Sequence, residues 1–128
     1  MTDCPFCRRI AAPQFILENQ LALAFPDFYP VSPGDTLIVP RRHVGDFFDL
    51  TAEEQASVWT LAAPVRKHIE KDHSPDGYNL GVNVGKAAGQ TVAHSHVHVI
   101  PRYARDVEDP RGGIRWMIPS KAPHWRTP

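Results

Sequence analysis

Proline is the residue that most limits what this chain can become. Thirteen of the 128 residues are proline, about twice the ~5 % of an average protein. Each one lacks a backbone N–H and fixes φ, so prolines end strands and interrupt helices. Pro26, Pro30 and Pro33, together with Gly34, make residues 26–34 a loop. Pro40 stops the β-branched run Thr36-Leu37-Ile38-Val39, and Pro101 stops a strand expected over residues 91–100. Thr51 with Glu54 three residues later forms a capping box, opening a helix whose buried stripe is Val58, Leu61, Ala62, Val65 and Ile69. Pro64 falls inside that stripe; because the pattern continues beyond it, a kink is predicted rather than a stop. Residues 15–18 and 21–25 flank Asn19-Gln20 as a hairpin, and residues 78–84 form a strand after the Asp76-Gly77 turn. The sum is one α+β domain over residues 1–128: an antiparallel sheet of about five strands, one long helix and a short N-terminal helix or turn. Residues 103–128 form an irregular extension.

Composition removes several functional classes. Lysine plus arginine and aspartate plus glutamate each total 14, so the formal net charge is zero. A broad basic field for nucleic acid, or a polybasic membrane anchor, is therefore absent. Hydrophobic residues make up 42 % of the chain, enough for a real core. No apolar run approaches the ~18 residues of a membrane span. Met1-Thr2-Asp3-Cys4-Pro5 shows no basic segment leading into an apolar one, so a cytoplasmic protein is expected.

Two clusters carry chemistry. Cys4 and Cys7, spaced Cys-Pro-Phe-Cys, lie too near the N-terminus for a redox motif that follows a first strand, and suit half of a metal site. His94, His96 and His98 alternate within the expected last strand, which would place three imidazoles on one face at intervals of roughly 6.6 Å. Ala93, Ser95, Val97 and Val99 would then face the core. Three imidazoles could hold a catalytic metal, or one could attack phosphorus while its neighbours bind phosphate oxygens. The preceding loop favours the second chemistry: Gly85, Gly89 and the amides around Gln90 can approach an anion, and Thr91 and Asn83 offer neutral donors. His68, His73 and His124 have no partners at ligand spacing and read as surface residues.

Residues 89–102, Gly-Gln-Thr-Val-Ala-His-Ser-His-Val-His-Val-Ile-Pro-Arg, resemble the signature of the histidine triad nucleotide hydrolases and transferases. Ala24-Phe25-Pro26-Asp27 and the stretch from Pro33 to His43 resemble an earlier block of that family. Cys4-Pro5-Phe6-Cys7 resembles its zinc-containing members, and Pro110-Arg111-Gly112-Gly113-Ile114-Arg115-Trp116 its bacterial diadenosine polyphosphate hydrolases. The resemblance implies a histidine-triad fold and cleavage at the α-phosphate of an adenosine nucleotide conjugate, a dinucleoside polyphosphate or phosphoramidate, through a nucleotidyl-histidine intermediate. It implies that His96 is the nucleophile and that His98 donates to a phosphate oxygen, assisted by Asn83, Gly89, Gln90 and Thr91. Asp27 would hold the ribose, and Phe6 and Phe25 would form part of the base slot. Cys4, Cys7, His43 and His94 would hold a structural zinc ion, and a polyphosphate substrate could arrive with magnesium. A purine nucleotide is the expected ligand and a homodimer the expected assembly. The other readings are a nucleotide-binding module without catalysis and a hydrolase with its metal on the three histidines. The family has histidine where this chain has Asp35, which is expected either to support a triad imidazole or to repel phosphate. Ser95 stands where an apolar residue is usual, with an expected effect on packing alone.

Overall fold

The computed structural model describes residues 3–12 and 14–126. Five strands form one sheet: β1 (Leu17–Glu18), β2 (Ala22–Pro26), β3 (Thr36–Pro40), β4 (Gly77–Val82) and β5 (Val97–Arg102). Every pairing is antiparallel, in the order β1-β2-β3-β5-β4. Asn19 closes the β1–β2 turn by accepting from the amides of Leu21 and Ala22 through its side chain.

Both faces of the central strands are covered, which is why β2 reads as an unbroken apolar run. Ala22, Ala24, Ile38, Val97 and Val99 point to one face, where they pack with Val58, Val65 and Ile69 from two helices, α2 (Ala52–Thr60) and α3 (Ala62–Ile69), and with Leu61 between them. Leu23, Phe25, Leu37 and Val39 point to the other, where they meet Cys4 and Phe6 of the N-terminal segment. That segment contains α1 (Pro5–Ala11), with Cys4 as its N-cap and Pro5 in its first turn. The α+β class and five-stranded antiparallel sheet agree with expectation.

The kinked helix is instead two helices separated by Leu61. Pro64 has no N–H to offer the Thr60 carbonyl, so the hydrogen-bond ladder lapses there and restarts with Val65 bonding Leu61. The capping box is present, with Thr51 Oγ1 accepting from Glu54 N and Glu54 Oε1 from Thr51 N. The last strand differs at both ends from the expected 91–100. It begins only at Val97, because the Ser95 amide bonds Val44 O, outside any strand, at 2.7 Å. It continues through Pro101, which lies beyond the last β3 pairing, Thr36 with Val99, and pairs only with β4. Ala93, expected in the core, is exposed, whereas Val97 and Val99 are buried. Beyond β5 the chain runs through short 3-10 turns at Gly113–Met117, Pro119–Lys121 and His124–Arg126.

Candidate active site and metal centre

Cys4 and Cys7 sit at the first turn of α1, where the Cys7 amide donates to Cys4 Sγ at 3.4 Å. His43 follows β3, and His94 lies in the irregular segment before β5, fully buried. Cys4 Sγ is 3.6 Å from His94 Nδ1; Cys7 Sγ is 3.2 Å from His43 Nδ1 and 3.6 Å from His94 Nδ1. The two Nδ1 atoms are 3.2 Å apart. Around a tetrahedral zinc, ordinary bond lengths separate sulfur from nitrogen by about 3.6 Å and nitrogen from nitrogen by about 3.3 Å. The four donors therefore fit such an ion closely. His94 Nε2 lies 2.8 Å from the Pro40 carbonyl, which can only accept, so the proton resides on Nε2 and Nδ1 is left free to ligate. With both nitrogens so engaged, His94 is turned away from any ion shared with His96 and His98.

His96 is fixed in the same way. Its Nδ1 is 2.8 Å from the His94 carbonyl, so Nδ1–H donates and Nε2 keeps its lone pair. The His96 ring meets Phe6 edge-on, centroids 4.9 Å apart, and His98 at 5.0 Å. Burial pushes all three triad imidazoles below their ordinary titration range. A neutral, oriented imidazole with one free nitrogen is what nucleophilic attack requires.

His96 and His98 open into a cavity of about 300 Å³ with Phe6, Arg9, Asp27, Phe28, Val31 and Thr91 on its walls. Asp27 and Phe6 thus both line this cavity. Phe25 does not: it is wholly buried and supports Phe6 from beneath, centroids 5.5 Å apart. Asn83 lines a neighbouring cavity that shares Val31 and His98 with the first. Gly89 adopts φ of 91° with open space where a Cβ would sit. Gln90 has its side chain engaged: Oε1 accepts from Gly85 N, and Nε2 donates to the carbonyls of Gly45 and Val92. It braces the loop through those bonds.

Arg9 and Phe28 escaped sequence reasoning. The Arg9 guanidinium is sandwiched between the rings of Phe25 and Phe28, 3.8 Å and 3.7 Å from their centroids. Nothing in a spacing of sixteen to nineteen residues announces that stack. Phe28 could have been flagged, because an aromatic pair, Phe28-Tyr29, inside a proline-rich loop has no core to join. Asp35 is 2 % exposed. Its Oδ2 accepts from Val31 N at 2.9 Å, Oδ1 has no partner among the described residues, and burial pushes its pKa up to about 6.

Residues 9–105 match the HIT domain family model. The chain is 38 % identical over 96 residues to a bis(5'-nucleosyl)-tetraphosphatase of Schizosaccharomyces pombe, covering 75 % of this chain and 53 % of that protein. Among solved structures, a Zn-bound histidine triad family protein from Mycobacterium smegmatis superposes with a TM-score of 0.74 at 32 % identity, covering 82 % of this chain and 77 % of that one. A HIT family protein from Bacillus anthracis does so with a TM-score of 0.74 at 37 % identity, covering 80 % and 75 % of the two chains.

Proposed function

Because this chain belongs to the HIT domain, or histidine triad, family, we propose that it cleaves adenosine nucleotide conjugates at the α-phosphate, using His96 as a covalent nucleophile. The observation that carries this reading is the 2.8 Å hydrogen bond from His96 Nδ1 to the His94 carbonyl, which leaves Nε2 free beside His98. Nε2 attacks the α-phosphorus, the bond to the leaving group breaks, and a nucleotidyl-histidine forms. Water then hydrolyses the P–N bond, releasing the nucleoside monophosphate and the free imidazole.

Each neighbouring group has a part. His98 donates to an α-phosphate oxygen, with Asn83 and Thr91 supplying fixed dipoles, while the Gly89 and Gln90 amides donate within the loop, to Lys86 O and Gly85 O, and shape it. The chain has no net charge to draw on, so these local dipoles carry the anion. The ribose lies toward Asp27, and the base lies between Phe6 and Phe28. Cys4, Cys7, His43 and His94 would hold a structural zinc ion, which would tie α1 to the end of β3 and to the segment bearing His96. A polyphosphate substrate would bring magnesium with it. A purine nucleotide as ligand, a homodimeric assembly and a cytoplasmic setting complete the reading. The S. pombe relative's name supports a dinucleoside polyphosphate as the substrate class.

Rapid acid-sparing quench of a reaction with substrate radiolabelled at the α-phosphate should trap labelled protein. His96→Ala should lose the label and about a thousandfold or more of the turnover. Full turnover by His96→Ala, or a competent reaction in which no labelled protein is ever trapped, would overturn the mechanism. Undiminished nucleotide binding without turnover in the parent protein would instead favour a binding module.

A further inference from the structure

Asp35 immediately precedes β3 with its carboxylate turned into the protein, and its surroundings give that group too few partners. One oxygen is satisfied by the Val31 amide, and the other, Oδ1, meets no donor among the described residues although it is buried. A buried anionic oxygen without a donor is costly. The nearest charges deepen the problem. Asp27 is a second carboxylate within hydrogen-bonding reach of Asp35, able to meet it only through a shared proton, and it disfavours ionisation of Asp35. Arg9 feels the charge of Asp27 but forms no ion pair with it among the described residues, its guanidinium being held between the rings of Phe25 and Phe28. Ligand-capable atoms of Asp27, Asp35 and His98 all lie within 4.8 Å of one another. Two carboxylates, one of them with an orphaned buried oxygen, and an imidazole thus converge on one point, with no cation among their side-chain partners within the described residues.

We propose that Asp27, Asp35 and His98 form a second divalent-cation site, separate from the Cys4–Cys7–His43–His94 cluster, suited to manganese. Carboxylate oxygens favour magnesium, calcium and manganese, whereas imidazole favours the later transition metals; manganese is at home with both. Soft ions are directed instead to the thiolate cluster. Two carboxylates balance the charge of a divalent ion, and Oδ1 of Asp35 acquires the partner it lacks. Three protein ligands leave further coordination positions for water or for a phosphate oxygen entering from the cavity that His98 faces. The site would thereby place positive charge beside the phosphate end of that cavity, in a chain whose net charge supplies none. Histidine, the family's residue at position 35, would carry no negative charge to such an ion, so the site belongs to this chain's own departure from the pattern.

The test uses the metal alone, so it does not depend on whether His96 forms a covalent intermediate. Zinc-loaded full-length protein is titrated with Mn²⁺ at neutral pH, and free ion is followed by electron paramagnetic resonance. One saturable Mn²⁺ per chain is expected, with Mg²⁺ competing weakly. Asp35→Asn and His98→Asn should each weaken binding by about tenfold or more, while zinc content and melting temperature show that the fold is intact. Absence of saturable binding through the millimolar range would overturn the proposal and leave a shared proton as the partner of the two carboxylates. Equal Mn²⁺ affinity in the parent and in Asp35→Asn would overturn it as well.

Discussion

Withdrawing metal from the Cys4–Cys7–His43–His94 cluster should release α1 while leaving the sheet folded. α1 has seven residues, well short of the ~12–15 that an isolated helix needs to be even marginal. Its anchorage in the rest of the molecule is small. Burial of Phe6 is worth about 2–3 kcal/mol, and the Arg9 stack between Phe25 and Phe28 adds about 1–2 kcal/mol. Fixing the backbone of the segment costs about 1–2 kcal/mol per residue. The helix therefore falls several kcal/mol short of holding itself in place, a deficit that the proposed structural zinc, at roughly 10 kcal/mol or more, would offset. The cluster of apolar residues on the opposite face of the sheet takes no residue from α1, so it has no reason to come apart. The assay is hydrogen exchange on protein stripped by chelator and verified to be free of zinc. The amides of Arg8 and Ala12, which bond Cys4 O and Arg8 O in the folded helix, should lose their protection. Those of β2, β3 and β5 should keep theirs through a cooperative, if lower, melting transition. Added zinc should restore the pattern. Continued protection of α1 in zinc-free protein, or simultaneous loss across the sheet, would refute the reasoning.

Three substitutions probe the rest of the site. Asp35 has its pKa raised from 3.8 to about 6, so its contribution is most favourable below the unfolded value and is lost as pH rises through the folded one. In buffer free of added divalent ions, Asp35→Asn should be more stable than the parent by about 2–3 kcal/mol at pH well above 6. The advantage should vanish below about pH 4; a pH-independent difference in denaturant midpoints would contradict this. The groups that could modify the effect are Asp27 and His98, and His68, Asp72 and His73, which line the cavity on the α3 side. Ser95 Oγ is buried without a partner among the described residues, so Ser95→Ala should stabilise by about 1 kcal/mol in thermal or urea unfolding with kcat unchanged; destabilisation would mean that the hydroxyl is satisfied after all. Phe28 is 66 % exposed on the cavity rim. Phe28→Ala should weaken nucleotide binding about tenfold, from the loss of an aromatic wall worth about 1 kcal/mol or more, and calorimetric affinities equal to the parent's would place the base elsewhere.

Much of this architecture is written locally. The capping box at Thr51 and Glu54, the apolar stripe through Val58, Val65 and Ile69, and the Pro40 stop each depend on residues a few positions apart. The meeting of Cys4 and Cys7 with His43 and His94 spans most of the chain. It became legible only because two short motifs resembled a known pattern. What stayed hidden was decided by tertiary contact. Strict alternation from His94 to Val99 predicts a single strand, but the bond from Ser95 N to Val44 O turns the first half aside. Periodicity cannot distinguish a strand from an irregular segment drawn into place by a neighbouring loop. The Arg9 stack and the convergence of Asp27, Asp35 and His98 likewise depend on how loops close in space, which no spacing rule encodes.

Residue 94 meets two demands with different parts of itself. Its imidazole faces the cysteines, while its main-chain carbonyl sets the tautomer of His96. A carbonyl is common to all twenty amino acids, so the second duty depends on where the segment lies and not on which side chain it bears. Substitution of the Cys4–Cys7–His43–His94 side chains is therefore uncoupled from the setting of His96, the proposed nucleophile, provided that the bond from Ser95 N to Val44 O keeps the segment in position. A descendant of this chain could lose both thiolates and still inherit a correctly poised His96. Displacing the backbone there by about an ångström would take away the acceptor that sets the His96 tautomer with all four cysteine and histidine side chains intact.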